Sequence, residues 1–407
     1  MKNSKYPWIL VGLLWFVALL NYMDRQILST MRPAMSVDIL ELESAAVFGN
    51  LMAIFLWIYG FMSPVAGILA DKWSRKWLII GSLFVWSAVT LAMGFAQSYD
   101  QLYALRAIMG MSEALYIPAG LSLIADYHSD KTRSLAIGIH MTGFYFGQAL
   151  GGFGASIAAN YTWHYTFILF GLVGIIYALI LLFTLREAPH RHEEKTTQKE
   201  AIPLWKGLSV LFSNISFWVI LMYFAVPSLP GWATKNWLPT LFSENLNIPM
   251  EQAGPLATIS IAVSSFFGVI LGGILSDRWI QKNIRGRIYT SAIGLALTIP
   301  AVILIGYGHH IIAIVAAGLL FGFGFGMFDA NNMPILCQFV GARYRATAYG
   351  IMNMVGVFAG AYITKILGAS ADEGNLGTHF ALLAGIVAIV LLIQLIVLKP
   401  KAHVEGS

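Results

Sequence analysis

The chain has 407 residues, of which 58% are hydrophobic and only 11% charged, with a formal net charge of +5. A soluble domain carries about 25% charged residues, so this composition excludes an ordinary soluble enzyme or nucleic-acid-binding module and points to a polytopic membrane protein. A single cysteine, Cys337, excludes an internal disulfide and any Cys-based metal cluster.

Lys2 and Lys5 precede the first apolar run, as in a signal peptide. That run passes into Asn21-Tyr22-Met23-Asp24-Arg25 without a small-residue cleavage site, so it reads as a retained first helix. About 20 apolar residues cross the hydrocarbon core, and twelve such runs follow one another: 8–31, 45–70, 77–97, 101–126, 134–159, 166–186, 214–242, 253–276, 288–308, 311–339, 346–370 and 378–398. Lipid-embedded backbone must satisfy its own hydrogen bonds, so each run is expected to be a helix. The long polar interruption, 187–213, carries mixed charge and reads as a solvated linker. The expected architecture is therefore all-α: a six-helix bundle over 1–186, the linker 187–213, and a second six-helix bundle over 214–407.

Lysines and arginines fall on alternate loops. Lys72, Arg75 and Lys76, then Lys131 and Arg133, the linker cations, Arg278, Lys282, Arg285 and Arg287, then Arg343 and Arg345, and finally Lys399 and Lys401 all lie on the side of the termini. On the opposite side only Arg32 lies in a loop. Both termini are thus expected in the cytoplasm, with the chain in a plasma membrane, the bacterial inner membrane for a bacterial source. The halves repeat: Gly67-Ile-Leu-Ala-Asp71-Lys72-Trp73 ends the second run and Gly273-Ile-Leu-Ser-Asp277-Arg278-Trp279 ends the eighth. Arg133-Ser-Leu-Ala-Ile-Gly138 and Arg345-Ala-Thr-Ala-Tyr-Gly350 also correspond. Paired halves of this kind put a substrate site near mid-membrane between them.

At these residues the chain resembles the major facilitator superfamily, whose signature after its second helix is matched by Gly67, Asp71, Lys72, Arg75 and Lys76, with Ser74 in place of the second glycine. Arg106-x-x-x-Gly110-x-x-x-Ala114 matches a second family pattern, in the fourth run. Asn21-Tyr22-Met23-Asp24-Arg25, Glu113-Ala114 and Pro118 further resemble the anion:cation symporter branch, with its hexuronate, galactonate and sialin-type carriers. The resemblance implies alternating access, no cofactor beyond a proton gradient, and proton coupling and anion binding by Asp24, Arg25, Arg106 and Glu113. It also implies that helices one, four, seven and ten line the central cavity, and that Asp71, Lys72, Arg75, Lys76, Asp126 and Arg133, with Asp277, Arg278 and Arg345, act as gates.

Charges inside lipid are costly and usually face a bundle interior or a water-filled path. Asp24 and Arg25 (first run), Arg106 and Glu113 (fourth), Lys235 (seventh) and Asp329 (tenth) fall on the four cavity-lining helices. Lys365 can snorkel from an outer end, and His140 is expected to be a packing residue. Arg106 and Glu113, two turns or about 10 Å apart on one face, are either part of a site or an interhelical structural pair. Glu113 stands five residues before Pro118, and Asp329 five before Pro334. Each proline removes a backbone donor and permits a kink one turn earlier. Glu113, Asp24 and Asp329 are the candidate protonation sites, although Asp329 could instead pair with Lys235.

Arg25, Arg106 and Lys235 are expected to converge on a substrate anion. Tyr22, Tyr116, Tyr145, Gln148, Tyr223, Asn236, Asn331, Asn332 and Asn353 are candidate partners for its hydroxyls, and Trp232 and Trp237 either stack on a sugar ring or pack. Desolvation favours a protonated carboxyl and a neighbouring arginine opposes it, so proton and anion binding can be linked. Gly143-x-x-x-Gly147-x-x-x-Gly151 and Gly356-x-x-x-Gly360 read as seams for close helix packing. Uptake of a small organic anion, a sugar acid, with protons by a monomer is the expectation. An organic-anion or organic-phosphate exchanger, or a drug/proton antiporter, uses the same fold. No phosphate loop, metal-ligand cluster or nucleophile elbow suggests an enzyme.

Overall fold

The computed structural model describes residues 5–129, 132–188, 209–341 and 345–400. Among them there are only helices and connecting turns. Among the described residues, eleven helical stretches are long and apolar enough to cross a membrane. In chain order the helices are α1 (Tyr6–Leu28), the short α2 (Arg32–Met35), α3 (Ala45–Lys72), α4 (Arg75–Met93), α5 (Tyr99–Glu113), α6 (Tyr116–Tyr127), α7 (Arg133–Gly151), α8 (Gly154–Asn160) and α9 (Trp163–Thr184). They continue as α10 (Ile215–Leu246), α11 (Met250–Ile280), α12 (Gly286–Tyr307), α13 (Ile311–Asp329), α14 (Asn332–Phe339), α15 (Arg345–Asp372) and α16 (Leu376–Val397). Most of the expected linker, 189–208, lies outside the described residues.

The interruptions follow the sequence. Pro118 and Pro334 leave the carbonyls of Ala114 and Ala330 without an i+4 donor, and the helices break there: α5 stops at Glu113 and α13 at Asp329. Each acid therefore sits on the last residue of a half-helix, next to an interruption. The fifth apolar run also divides, at Gly152 and Phe153, and is not among the eleven candidate spans, whereas α5–α6 and α13–α14 each count as one span despite their breaks.

Helix caps set several starts. Ser44, Ser74, Ser98 and Thr162 each accept a backbone N–H from the first turn of α3, α4, α5 and α9, which satisfies donors that the helix itself leaves open. Close packing relies on glycine. A Cβ on Gly147 would lie 2.2 Å from the Leu19 carbonyl oxygen, so α7 meets α1 backbone to backbone. At Gly368 a Cβ would lie 2.5 Å from the Ala45 carbonyl oxygen, which brings α15 equally close to α3. Gly356 and Gly360 instead receive the rings of Phe224 and Trp232 from α10.

The start of α1 meets the ends of α6 and α9 at one end. Tyr6 Oη donates to the Thr184 carbonyl, His128 contacts the Pro7 carbonyl, and Ser74 donates to Glu187. At the opposite, far end, Trp163 donates to Asp38 and Asn245 to the Ile305 carbonyl. Among the described residues, the hydrogen bonds that cross from residues before 187 to residues after 213 lie at this far end or between it and the middle of the helices. Asp372, closing α15, accepts from Ser44 Oγ at 2.6 Å and from the backbone N–H groups of Ala45 and Ala46 at 2.6 and 2.9 Å. Ser156 donates to the Glu251 carbonyl at 2.8 Å, Thr258 to Ala149 at 3.2 Å, and Gln26 to Lys235 at 2.8 Å. The far end is thereby sealed.

Candidate functional site

The site grows from α1. Asn21 and Arg25 are one turn apart, and both reach Glu113 at the end of α5: Arg25 Nε donates at 2.6 Å and Asn21 Nδ2 at 3.0 Å, both to Oε2. Glu113 is fully buried. Deleting one partner of a buried ion pair leaves an uncompensated charge and costs about 3–5 kcal/mol. Its second oxygen, Oε1, is buried without a partner.

Asp24 and Arg25 do not pair with each other. Successive residues on a helix point about 100° apart, and Asp24 turns instead toward α4, where Thr90 Oγ1 donates to it at 3.4 Å. Arg106 is 3% exposed and sits within electrostatic range of Asp24, Glu113 and Arg25, yet among the described residues it forms no ion pair within 4.0 Å. Its Nη1 contacts the Met109 sulfur at 3.1 Å, and its Nε has no partner.

Aromatic rings separate the cations. The Arg25 and Arg106 guanidinium carbons lie 5.0 and 4.6 Å from the centre of the Phe55 ring. Arg25 also lies 5.2 Å from the Tyr22 ring, and Lys235 Nζ lies 5.5 Å from that same ring. Tyr59 adds a contact to Arg25 at 4.6 Å, and Trp232 one to Lys235 at 4.7 Å. The result is a sequence of alternating charges and rings, Arg106–Phe55–Arg25–Tyr22–Lys235, running from α5 to α10. Each cation–π contact contributes about 0.5–2 kcal/mol, more where water is excluded. Phe55 and Tyr59 on α3 were not singled out from the sequence, although their four-residue spacing puts them on one helix face.

Lys235 and Asp329 face a cavity of ≈ 70 Å3, whose wall includes Tyr22, Tyr145, Gln148 and Phe325. Asp329 lies deep in the helix array but is exposed to the cavity space. It accepts from Asn332 Nδ2 at 3.0 Å and interacts with Lys235 through space without a salt bridge. Tyr349 on α15 is 41% exposed and within electrostatic range of Asp329, Tyr59 and Tyr22. The sequence reading takes Asn353 from the same apolar run and passes over Tyr349, four residues before it. A larger groove, ≈ 630 Å3, lies elsewhere, between α4 and α5, and is lined by apolar side chains such as Trp77, Val85 and Ile108. It holds none of the ionisable groups and is a lipid-facing depression.

Several expected ligands lie away from the cavity. Tyr116 is fully buried and donates to the Leu14 carbonyl at 2.8 Å, packed against Trp86 and His140. It follows the break at Ala114–Leu115, so the face of Arg106 and Glu113 does not continue to it. Asn236 donates to Thr364 Oγ1 at 2.7 Å and Trp237 to the Thr364 carbonyl at 3.0 Å, so both fasten α10 to α15. Tyr223 is hydrogen-bonded to Ser291 in the core. Asn331 turns back to the Met327 carbonyl at 2.8 Å. Asn353 is half-buried on α15. His140 is fully buried beside Tyr116 and Phe144, as a packing residue would be. Lys365 is exposed.

Of the expected gates, Arg75 pairs with Asp126, and Lys76 donates to the Leu182 carbonyl at 3.0 Å. Lys72 and Arg133 are exposed at the same end, and the Asp71 side chain lies outside the described residues. In the second half Asp277 meets Arg287 at 3.8 Å, not Arg278 or Arg345. Arg345 instead caps the carbonyls of Val340 and Cys337, each at 3.1 Å. Residues 131 and 343 are not described.

Comparison with known proteins gives one family. The family model described as Major Facilitator Superfamily matches residues 14–364. The hexuronate transporter of Bacillus subtilis is 24% identical over 89% of this chain and 91% of that protein. A protein of the same organism named "Probable galactarate/D-glucarate transporter" is 27% identical over 69% of this chain and 67% of its own length. Among solved structures, a bacterial homologue of the human lysosomal transporter Spinster, in an inward-facing and unoccupied conformation, superimposes with a TM-score of 0.82 at 19% identity over 97% of both chains.

Proposed function

The chain belongs to the Major Facilitator Superfamily as an integral membrane transporter and not an enzyme, and we propose that it carries a small organic anion, a sugar acid such as a hexuronate or aldonate, together with protons. The observation that carries this reading is the ring-separated series of Arg106, Arg25 and Lys235, set among three carboxyl groups of which only Glu113 pairs with a cation within 4.0 Å. With Asp24, Glu113 and Asp329 all ionised the six groups balance; protonating one carboxylate leaves a net positive site that attracts a monoanion. Proton and anion then favour each other's binding, as coupled transport requires. The sugar-acid relatives supply the substrate class.

In this reading twelve membrane spans form two six-helix bundles, 1–186 and 214–407, joined by the linker 187–213. The split α7–α8 segment serves as the fifth span. The basic loops put both termini in the cytoplasm of a bacterial inner membrane, so the sealed far end faces outward and the cavity opens inward. A monomer suffices, and no cofactor is needed beyond the proton gradient.

The cycle follows from the contacts. Arg25 holds Glu113 at 2.6 Å while no anion is bound. An arriving carboxylate competes for Arg25 and Arg106, and the released Glu113 takes a proton. Asp24 and Asp329 stand as further proton acceptors, and Lys235 supplies a point charge from the other bundle. Rocking of the bundles then exposes the site to the other side.

Glu113→Gln tests the coupling. Gradient-driven accumulation of hexuronate is expected to fall to the level of equilibration, while counterflow with the same solute persists. Unchanged accumulation would remove Glu113 from the coupling role, and counterflow with no proton dependence in the parent would favour the exchanger.

A further inference from the structure

Pro239 lies four residues after Lys235 inside the continuous helix α10. It has no N–H to give, so the Lys235 carbonyl loses its intrahelical donor. In this structure the vacancy is filled from the other half of the chain: Gln26 Nε2 on α1 donates to that carbonyl at 2.8 Å. Gln26 is 5% exposed, and its amide is also held by Ser29 Oγ at 2.7 Å, while the Ser29 hydroxyl proton goes to the Gln26 carbonyl. The donor is thus oriented before the contact is made. Its chain neighbour Arg25 carries the Glu113 ion pair, and its acceptor belongs to the cavity lysine.

We infer that Gln26 is a positioning residue that supplies across the bundle interface the hydrogen bond Pro239 deletes, fixing Lys235 against α1 only while the far end is closed. A buried carbonyl without a donor is costly, so the contact favours the closed far end, and separation of α1 from α10 breaks it. Movement of α1 on release of Glu113 is thereby passed to Lys235 through backbone. The inference rests on the reading of the chain as a transporter whose bundles rock, but not on its substrate.

A double-mutant cycle tests it with a readout that needs no solute. In a Cys337→Ser background, Ala361→Cys places a thiol on the stripe of α15 that includes Thr364, Gly368 and Asp372, where Ala361 is fully buried. Its rate of alkylation by a maleimide in lipid nanodiscs reports opening of the far seam. Gln26→Met keeps the bulk and removes the donor; it is expected to raise the rate about three- to tenfold, in line with the loss of one net hydrogen bond. Pro239→Ala restores an N–H that reaches the Lys235 carbonyl within α10, so in that background Gln26→Met is expected to change the rate less than twofold. Gln26→Asn, one methylene too short, reads the same contact if the methionine variant is not recovered. An unchanged rate, or an equal rise with and without Pro239, overturns the inference, because general packing damage does not depend on that proline. The outcome stands whether or not the chain carries hexuronate.

Discussion

Asp372→Asn perturbs the far-end seal at its most local polar contact. The carboxylate ends α15 and caps the first turn of α3, with Oδ2 accepting from Ser44 Oγ and Ala46 N–H and Oδ1 from Ala45 N–H, all within 2.9 Å. The side chain is exposed, so solvent and salt reduce its value below that of a buried pair. An N-capping contact contributes about 0.5–2 kcal/mol, and an anion at a helix N-terminus about 0.3–1 kcal/mol. Asparagine keeps one acceptor oxygen and no charge, so the expected loss is about 1.5 kcal/mol, or roughly tenfold in the opening equilibrium. Hydrogen exchange in nanodiscs reads it directly: amides in the first turn of α3 should exchange about tenfold faster. The neighbouring Glu373→Gln, also at an exposed position, should leave those amides unchanged. Equal exchange in Asp372→Asn and the parent, or the same increase in Glu373→Gln, would refute the assignment of the cap to Asp372.

Two further outcomes separate structural from functional residues. Tyr116→Phe removes only the hydroxyl that meets the Leu14 carbonyl; it should lower thermal stability by about 1 kcal/mol and leave the apparent KM for hexuronate uptake within twofold, whereas a large KM change would return Tyr116 to the binding site. Gly147→Ala forces a Cβ against the Leu19 carbonyl at the α1–α7 seam and should cost about 1–3 kcal/mol; an unshifted melting temperature in detergent would show that the seam has slack.

The helices and the two proline breaks were legible in sequence because both are local. Hydrophobic runs near 20 residues define spans, and a proline acts on the carbonyl one turn before it. The intramembrane charges were legible because each is costly. What they touch was not. Arg25 selects Glu113 over its neighbour Asp24 because adjacent helix positions diverge, and Asn236 turns to Thr364 while Lys235 faces the cavity for the same reason. Asp372 and Gln26 escaped notice because their partners lie hundreds of residues away and neither belongs to a short motif. The proline four residues after Lys235 was the one local signal that its carbonyl would seek an outside donor. Arg287, the partner of Asp277, was hidden among the other cations of a basic loop.

The central claim is that an anion and a proton share one site, and proton movement driven by substrate alone tests it most directly. In proteoliposomes holding the purified protein and a pH-sensitive dye, with no gradient imposed, a step of external hexuronate should acidify the lumen, and a protonophore should abolish the signal. Hexuronate entry measured in parallel with no change in lumenal pH would contradict proton coupling.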